Sequence, residues 1–205
     1  MTEQLVCVED LTVTRGGVPL LAGVAFRVLS GEAVVLRGPN GVGKTSLLRT
    51  IAGLQPVTLG RVDATDVGFS GHLDAVKGTL SVRENLRFWT DLYGEVDVDH
   101  GIESFALGSL TDRAAGTLSA GQRRRLGLAR LLVSRRRLWL MDEPTVSLDT
   151  ASVTRLETAI TDHLSRGGGA IIASHVDLGF PTRDIDLAAF HAADAQSGAF
   201  DEAFL

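Results

Sequence analysis

Gly38-Pro39-Asn40-Gly41-Val42-Gly43-Lys44-Thr45 satisfies G-x-x-x-x-G-K-[ST] at every specified position, between an apolar run (33–36) and a helical one (44–54). Such a loop wraps backbone N–H groups around phosphate oxygens, which demands dihedrals that side chains would obstruct. In the segment that follows, Leu47, Leu48, Ile51 and Leu54 are spaced for one helical face. That helix turns its positive N-terminal end toward the same anion. Lys44 is placed to give a point charge to the β- and γ-phosphates and Thr45 a hydroxyl ligand to Mg²⁺, with Gly38 through Ser46 as the nucleotide cradle. Lys44 and Lys77 are the only lysines in a chain that otherwise uses arginine, so lysine here is informative. A phosphate loop alone fits kinases, GTPases and many ATPases. The Asn-Lys-x-Asp element of a guanine reader is absent.

The 205 residues suffice for one well-buried domain with a small helical lobe. Twenty Lys and Arg against 25 Asp and Glu leave a net charge of −5, which argues against a dedicated nucleic-acid binder. The clusters Arg123 to Arg125 and Arg135 to Arg137 are accordingly expected to be solvated helix faces and a cation-rich helix C-terminus. No apolar run approaches the roughly 18–20 residues that span a bilayer, and MTEQLVCVEDLTV has no signal-peptide pattern. The one cysteine, Cys7, allows no internal disulfide, which suits a reducing cytosol.

Along the chain, residues 4–34 read as β-rich, with turns at Gly16-Gly17 and Ser30-Gly31. Residues 33–39 give a strand entering the glycine loop, and 60–71 two more short strands. The pattern turns helical from Leu80 to Ala129, then alternates: strand at 138–141, helix at 150–164, strand at 169–174. The tail after Pro181 carries no clear pattern. The expectation is an α/β fold over residues 1–205. It comprises a phosphate-loop core on a mostly parallel sheet, an N-terminal antiparallel β subdomain, and an α-helical lobe near residues 73–130.

Leu138-Trp139-Leu140-Met141 runs into Asp142-Glu143-Pro144. A buried strand ending at Asp142 would deliver it to the edge where α/β sheets collect ligands, to hold Mg²⁺, with Glu143 polarising the attacking water. Solvated acids at a strand end explain the pair equally well when it is taken alone.

Upstream, Leu118-Ser119-Ala120-Gly121-Gln122 resembles the LSGGQ signature of ABC ATPases, with alanine for the first glycine. Ser147-Leu148-Asp149 resembles that family's D-loop, and His175, after GAIIAS, its switch histidine. These elements, in the family's order from Gly38 to His175, identify the chain as similar to ABC transporter ATPases. The resemblance implies an ATP-sandwich dimer, in which Ser119 and Gly121 address the nucleotide held by a second ATPase subunit. It likewise implies that Asp149 communicates across the interface and that His175 contacts the γ-phosphate. Lys44, Glu143 and His175 are then the catalytic candidates, and ATP and Mg²⁺ the cofactors.

Residues 71–88 narrow the resemblance. His72 stands where most relatives carry the Q-loop glutamine, and Lys77 and Ser81-Val82-Arg83-Glu84-Asn85-Leu86 follow. That arrangement is similar to the ATP-binding subunits of bacterial cytochrome c maturation. It implies integral-membrane partners of the CcmB/CcmC type, a place on the cytoplasmic face of the inner membrane, and a role in haem export or delivery. His72 joins the catalytic candidates, expected to relay between hydrolysis and coupling rather than to ligate haem. No aromatic residue precedes Phe26 to stack an adenine, and Arg15 is the nearest flat alternative. An ABC ATPase for a drug or lipid is the nearest rival. A soluble ABC protein acting on ribosomes or DNA would normally carry two cassettes or a coiled-coil insertion.

Overall fold

Period-two alternation organises the centre of the molecule. The computed structural model describes residues 3–71, 74–93 and 97–192. Strands β3 (Ala33–Arg37), β6 (Leu138–Asp142) and β7 (Gly169–Ala173) are buried almost throughout. Successive side chains point to opposite faces of a sheet, and here both faces are covered. Ala33, Val35, Trp139, Met141, Ala170 and Ile172 enter one core, and Val34, Leu36, Leu138, Leu140, Ile171 and Ala173 the other. A continuous apolar run is what a strand buried on both sides requires. Each fully buried Val, Leu or Ile contributes about 1.5–3 kcal/mol relative to exposure.

These strands lie in a five-stranded sheet of order β5-β6-β7-β3-β8, with β5 at Val67–Ser70 and β8 at Arg183–Asp186. All four pairings are parallel, so the mostly parallel expectation is met in full by this sheet. Strand β8 falls in the tail that carried no readable pattern. As an edge strand it is charged rather than apolar, which blunts unwanted pairing. Its Arg183 donates to Glu32 at 2.6 Å, and its Asp184 accepts from Arg37 at 3.0 Å.

A second sheet, β2-β1-β4, is antiparallel. It comprises β1 (Gln4–Arg15), β2 (Val18–Leu29) and β4 (Leu59–Ala64), with Gly16-Gly17 as the turn between the first two. Helix α1 (Lys44–Ile51) packs between this sheet and one face of the parallel sheet. It is shorter than the expected helix to Leu54. Gly53, at φ +70°, ends it with Gly53 N–H donating to Thr50 O at 3.1 Å and Leu54 N–H to Arg49 O at 2.8 Å. That paired closure at a left-handed glycine leaves Leu54 off the helix face and exposed.

The opposite face of the parallel sheet carries α2 (Val82–Tyr93), α3 (Val98–Ser104), α4 (Ala120–Val133) and α5 (Thr150–Ser165). Helix α2 starts with a capping box. Ser81 N–H donates to Glu84 Oε2 at 2.7 Å and Glu84 N–H to Ser81 Oγ at 3.2 Å. Buried Asn85 then accepts from Lys77 N–H and donates to the carbonyls of Lys77 and Ser81. The Ser81–Leu86 motif thus has a local structural role. Among the described residues no helix is long and apolar enough to cross a membrane.

Candidate functional site

The parallel sheet brings β3, β6 and β7 to one edge with their C-terminal ends together, where an α/β sheet binds ligands. From β3 the chain enters the loop of Gly38, Gly41 and Gly43, whose φ values of +139°, +84° and +124° are all in the region that favours glycine. Gly43 is the N-cap of α1, and no side chain caps that end. The first N–H groups of α1 therefore face the loop without an internal partner, as an anion site requires.

Lys44 is buried and lies beneath the loop, its ammonium donating to Gly38 O at 2.7 Å and Pro39 O at 3.3 Å. Loss of hydration pulls its pKa below the usual lysine value, against the opposing influence of the Glu143 and Asp142 carboxylates. His175 Nε2 stands 2.9 Å from Lys44 Nζ, 2.8 Å from Asn40 Oδ1 and 3.4 Å from Glu143 Oε1. Lys44, His175, Glu143 and Asn40, scattered over some 135 residues, thus surround one point. Arg37 holds the histidine's loop from behind, donating to Ser174 O at 3.2 Å and Val176 O at 3.1 Å.

Thr45 Oγ1 donates to Asp142 Oδ2 at 2.8 Å. A hydroxyl and a carboxylate oxygen suit a small hard dication such as Mg²⁺, which takes one or two protein oxygens and completes its shell with phosphate and water. Asp142 is buried at the strand end, so the solvated-acid alternative does not apply to it. Glu143 has φ +45°, a left-handed conformation that costs a non-glycine residue about 1–3 kcal/mol. Its N–H donates to Ala173 O at 2.9 Å, and its carboxylate lies 3.4 Å from His175 Nε2.

Ser119 is the N-cap of α4 in a complete capping box with Gln122: Gln122 N–H donates to Ser119 Oγ at 3.3 Å and Ser119 N–H to Gln122 Oε1 at 3.0 Å. A Cβ on Gly121 would lie 2.7 Å from the carbonyl oxygen of Ser147, so glycine here permits close approach of the 147–149 loop. Asp149 is the N-cap of α5, accepting from Ser152 N–H at 2.8 Å, and Ser152 holds its carboxyl below the usual aspartate range. Ser119 and Asp149 are both exposed, as residues that serve another subunit would be. Arg15, at the end of β1, is exposed as well. His72 lies outside the described residues.

The arginine clusters meet expectation only in part: Arg123 and Arg135 are exposed, whereas their neighbours are engaged by the fold. Arg124 is not on a solvated face: it is 5% exposed and bound to four backbone carbonyls, those of Gly71, Asp142, Glu143 and Pro144. Arg125 caps the carbonyls of Phe105 and Ala106 at 3.0 and 2.9 Å. Arg136 pairs with Asp66 at 2.6 Å and Arg137 with Glu3 at 2.7 Å. Dense use of guanidinium groups on carbonyls has no signature in a sequence beyond the arginines themselves.

Comparison with known proteins accords with this geometry. The family described as ABC transporter matches residues 21–146. The chain is 52% identical over 204 residues to the cytochrome c biogenesis ATP-binding export protein CcmA of Roseobacter denitrificans, covering 98% of this chain and 99% of that protein. It is 49% identical over 207 residues to the protein of the same description from Paracoccus denitrificans, covering 98% and 99%. A solved ABC transporter ATP-binding protein from Pyrococcus furiosus superposes with a TM-score of 0.79 at 25% identity, over 91% of this chain and 98% of that one.

Proposed function

The chain belongs to the ABC transporter family of ATP-binding proteins, and on that premise we propose that it is the ATP-hydrolysing subunit of a membrane complex serving c-type cytochrome biogenesis. One observation supports hydrolysis above the rest: Lys44, Glu143 and His175 meet around one point, beside the Thr45–Asp142 pair. The residues divide the work. The loop N–H groups and Lys44 bind and neutralise the β- and γ-phosphates. Thr45 and Asp142 would hold Mg²⁺, which would supply positive charge to offset the negative charge that develops on the phosphate oxygens. Glu143 accepts a proton from the attacking water, and His175 orients the γ-phosphate.

In this reading residues 1–205 act as one ATPase domain with its helical lobe near 73–130. Ser119 and Gly121 complete the nucleotide site of a second copy, and Asp149 lines the interface between them. Integral-membrane partners of the CcmB/CcmC type carry the chain at the cytoplasmic face of the inner membrane. Near-50% identity over almost the whole length of the CcmA proteins supports haem export or delivery over a drug or lipid cargo.

The test is the mass of the purified chain in saturating ATP and Mg²⁺. The Glu143→Gln variant is expected to run as a dimer with hydrolysis reduced at least about 100-fold, and Lys44→Ala as a monomer. Wild-type turnover by Glu143→Gln would overturn the assignment of the base, and an ATP-independent monomer would overturn the sandwich.

A further inference from the structure

A guanidinium offers five N–H donors in a rigid planar fork, and in Arg124 all five are engaged. Nε donates to Pro144 O at 3.3 Å, and Nη2 to Asp142 O and Glu143 O, both at 2.9 Å. Nη1 donates to Gly71 O at 2.8 Å and to Asp74 Oδ1 at 3.1 Å. The side chain is only 6% exposed and Asp74's 15%, so solvent competes little for either. One side chain therefore joins three parts of the molecule: α4, the end of β6 with its strained Glu143, and Gly71 with Asp74 on the approach to the helical lobe.

We propose that Arg124 is the positioning residue for Glu143, holding the backbone of residues 142–144 so that hydrolysis depends on the placement of α4, Gly71 and Asp74. This rests on the reading of Glu143 as the group that activates water. Glu143 needs such a hold, because its left-handed backbone is one that a non-glycine residue leaves unless its surroundings retain it. The carbonyl of Glu143 faces Arg124 while its carboxylate faces His175, so a turn of this one residue moves the reactive end.

Helix α4 extends the consequence. Ser119 caps it and Arg124 stands five residues on, about 7.5 Å along a rigid rod at 1.5 Å per residue. A nucleotide engaged at the Ser119 end in the dimer pulls on the same helix that grips this chain's own Glu143. The signature of one site and the base of the other are thereby joined within a single subunit.

Gly127, one turn beyond Arg124, gives an independent handle. A Cβ there would lie 2.9 Å from Asp74 Cβ and 3.1 Å from Asp74 Oδ1, displacing the carboxylate that Arg124 holds. Alanine is also the better helix former, so Gly127→Ala disturbs the contact without weakening α4.

The experiment measures kcat, KM for ATP and the Hill coefficient of the purified full chain and of Arg124→Lys, Gly127→Ala and Glu143→Gln. Lysine keeps the charge but has three donors and no fork. Arg124→Lys is expected to lower kcat at least about tenfold, in line with the sensitivity of turnover to sub-ångström misplacement. KM should stay within about twofold and the Hill coefficient should fall toward one. Gly127→Ala is expected to lower kcat about threefold by the same route while melting no more than about 8 °C below wild type, and it carries the test should Arg124→Lys fold poorly. A kcat within twofold of wild type in both variants, or a loss carried by KM, overturns the proposal. Glu143→Gln separates the premise. If it turns over like wild type, the reading of Glu143 fails; if it is inactive while Arg124→Lys is normal, only the role of Arg124 fails.

Discussion

Gly121→Ala places a methyl group 2.7 Å from the carbonyl oxygen of Ser147, a backbone atom that cannot rotate away. Ordinary contact requires that the first turn of α4 and the 147–149 loop part by about 0.5 Å, the kind of overpacking that costs about 1–3 kcal/mol. Against this, alanine in place of glycine in a helix returns about 1 kcal/mol. The net loss is then about 0–2 kcal/mol. For a chain of this size each kcal/mol lowers the melting temperature by about 2–4 °C, so the variant should melt no more than about 8 °C below wild type. Turnover is the sensitive quantity. A displacement of about 0.5 Å at the helix end that addresses the partner's nucleotide should lower kcat about tenfold, since a 1 Å misplacement can cost about 100-fold. Differential scanning fluorimetry and a coupled ATPase assay report the two effects. Ala120→Gly is the control: Ala120 is exposed, and the change restores the commoner LSGGQ, so kcat should stay within about twofold. Wild-type turnover in Gly121→Ala would show that this helix end tolerates the displacement, and a collapse in stability would make Gly121 a core position; either outcome overturns the prediction.

Lys44→Ala should abolish ATP binding measured by equilibrium dialysis while leaving the fold intact, because the lysine's internal partners, two loop carbonyls and His175, are polar groups that water can serve. Asp142→Asn should raise the Mg²⁺ concentration for half-maximal hydrolysis at least about tenfold; unchanged Mg²⁺ dependence would remove Asp142 from the metal site. His163 stacks on Trp139 with ring centroids 3.9 Å apart, and burial lowers its pKa below 6.5. The unfolded chain therefore takes up a proton first as pH falls, so the stability His163 contributes is present above about pH 6.5 and lost as pH falls through the lower folded value. The urea midpoint of wild type should fall between pH 7.5 and 5.5, and that of His163→Gln should fall less; equal slopes would reject the assignment.

The phosphate loop, the buried strand ending in Asp142 and the order of strands and helices as far as β7 were legible, because each is dictated by local chemistry: glycine dihedrals, continuous apolarity, helical period. Ser119 was legible as a signature residue, while its capping box with Gln122 came only from the structure. Arg124 and Arg37 were not. A charged residue on a helix or at a strand end reads as solvated, and only the fold shows that carbonyls of residues 142–144 and of Ser174 and Val176 converge on them. Strand β8 was hidden for the opposite reason: it is an edge strand whose charged alternation carries no apolar signal. The early end of α1 at Gly53 shows how one left-handed glycine overrides a helical periodicity that continues to Leu54.

The central claim is that nucleotide hydrolysis at Lys44 and Glu143 drives a step in c-type cytochrome assembly. Its most direct measurement is the c-type cytochrome content of a strain lacking this gene, complemented with wild type, Lys44→Ala or Glu143→Gln. Loss of haem-stained c-type cytochromes in the deletion, restored by wild type and by neither variant, is the predicted result. Normal cytochromes in the deletion strain, with no second copy of the gene present, would contradict the account.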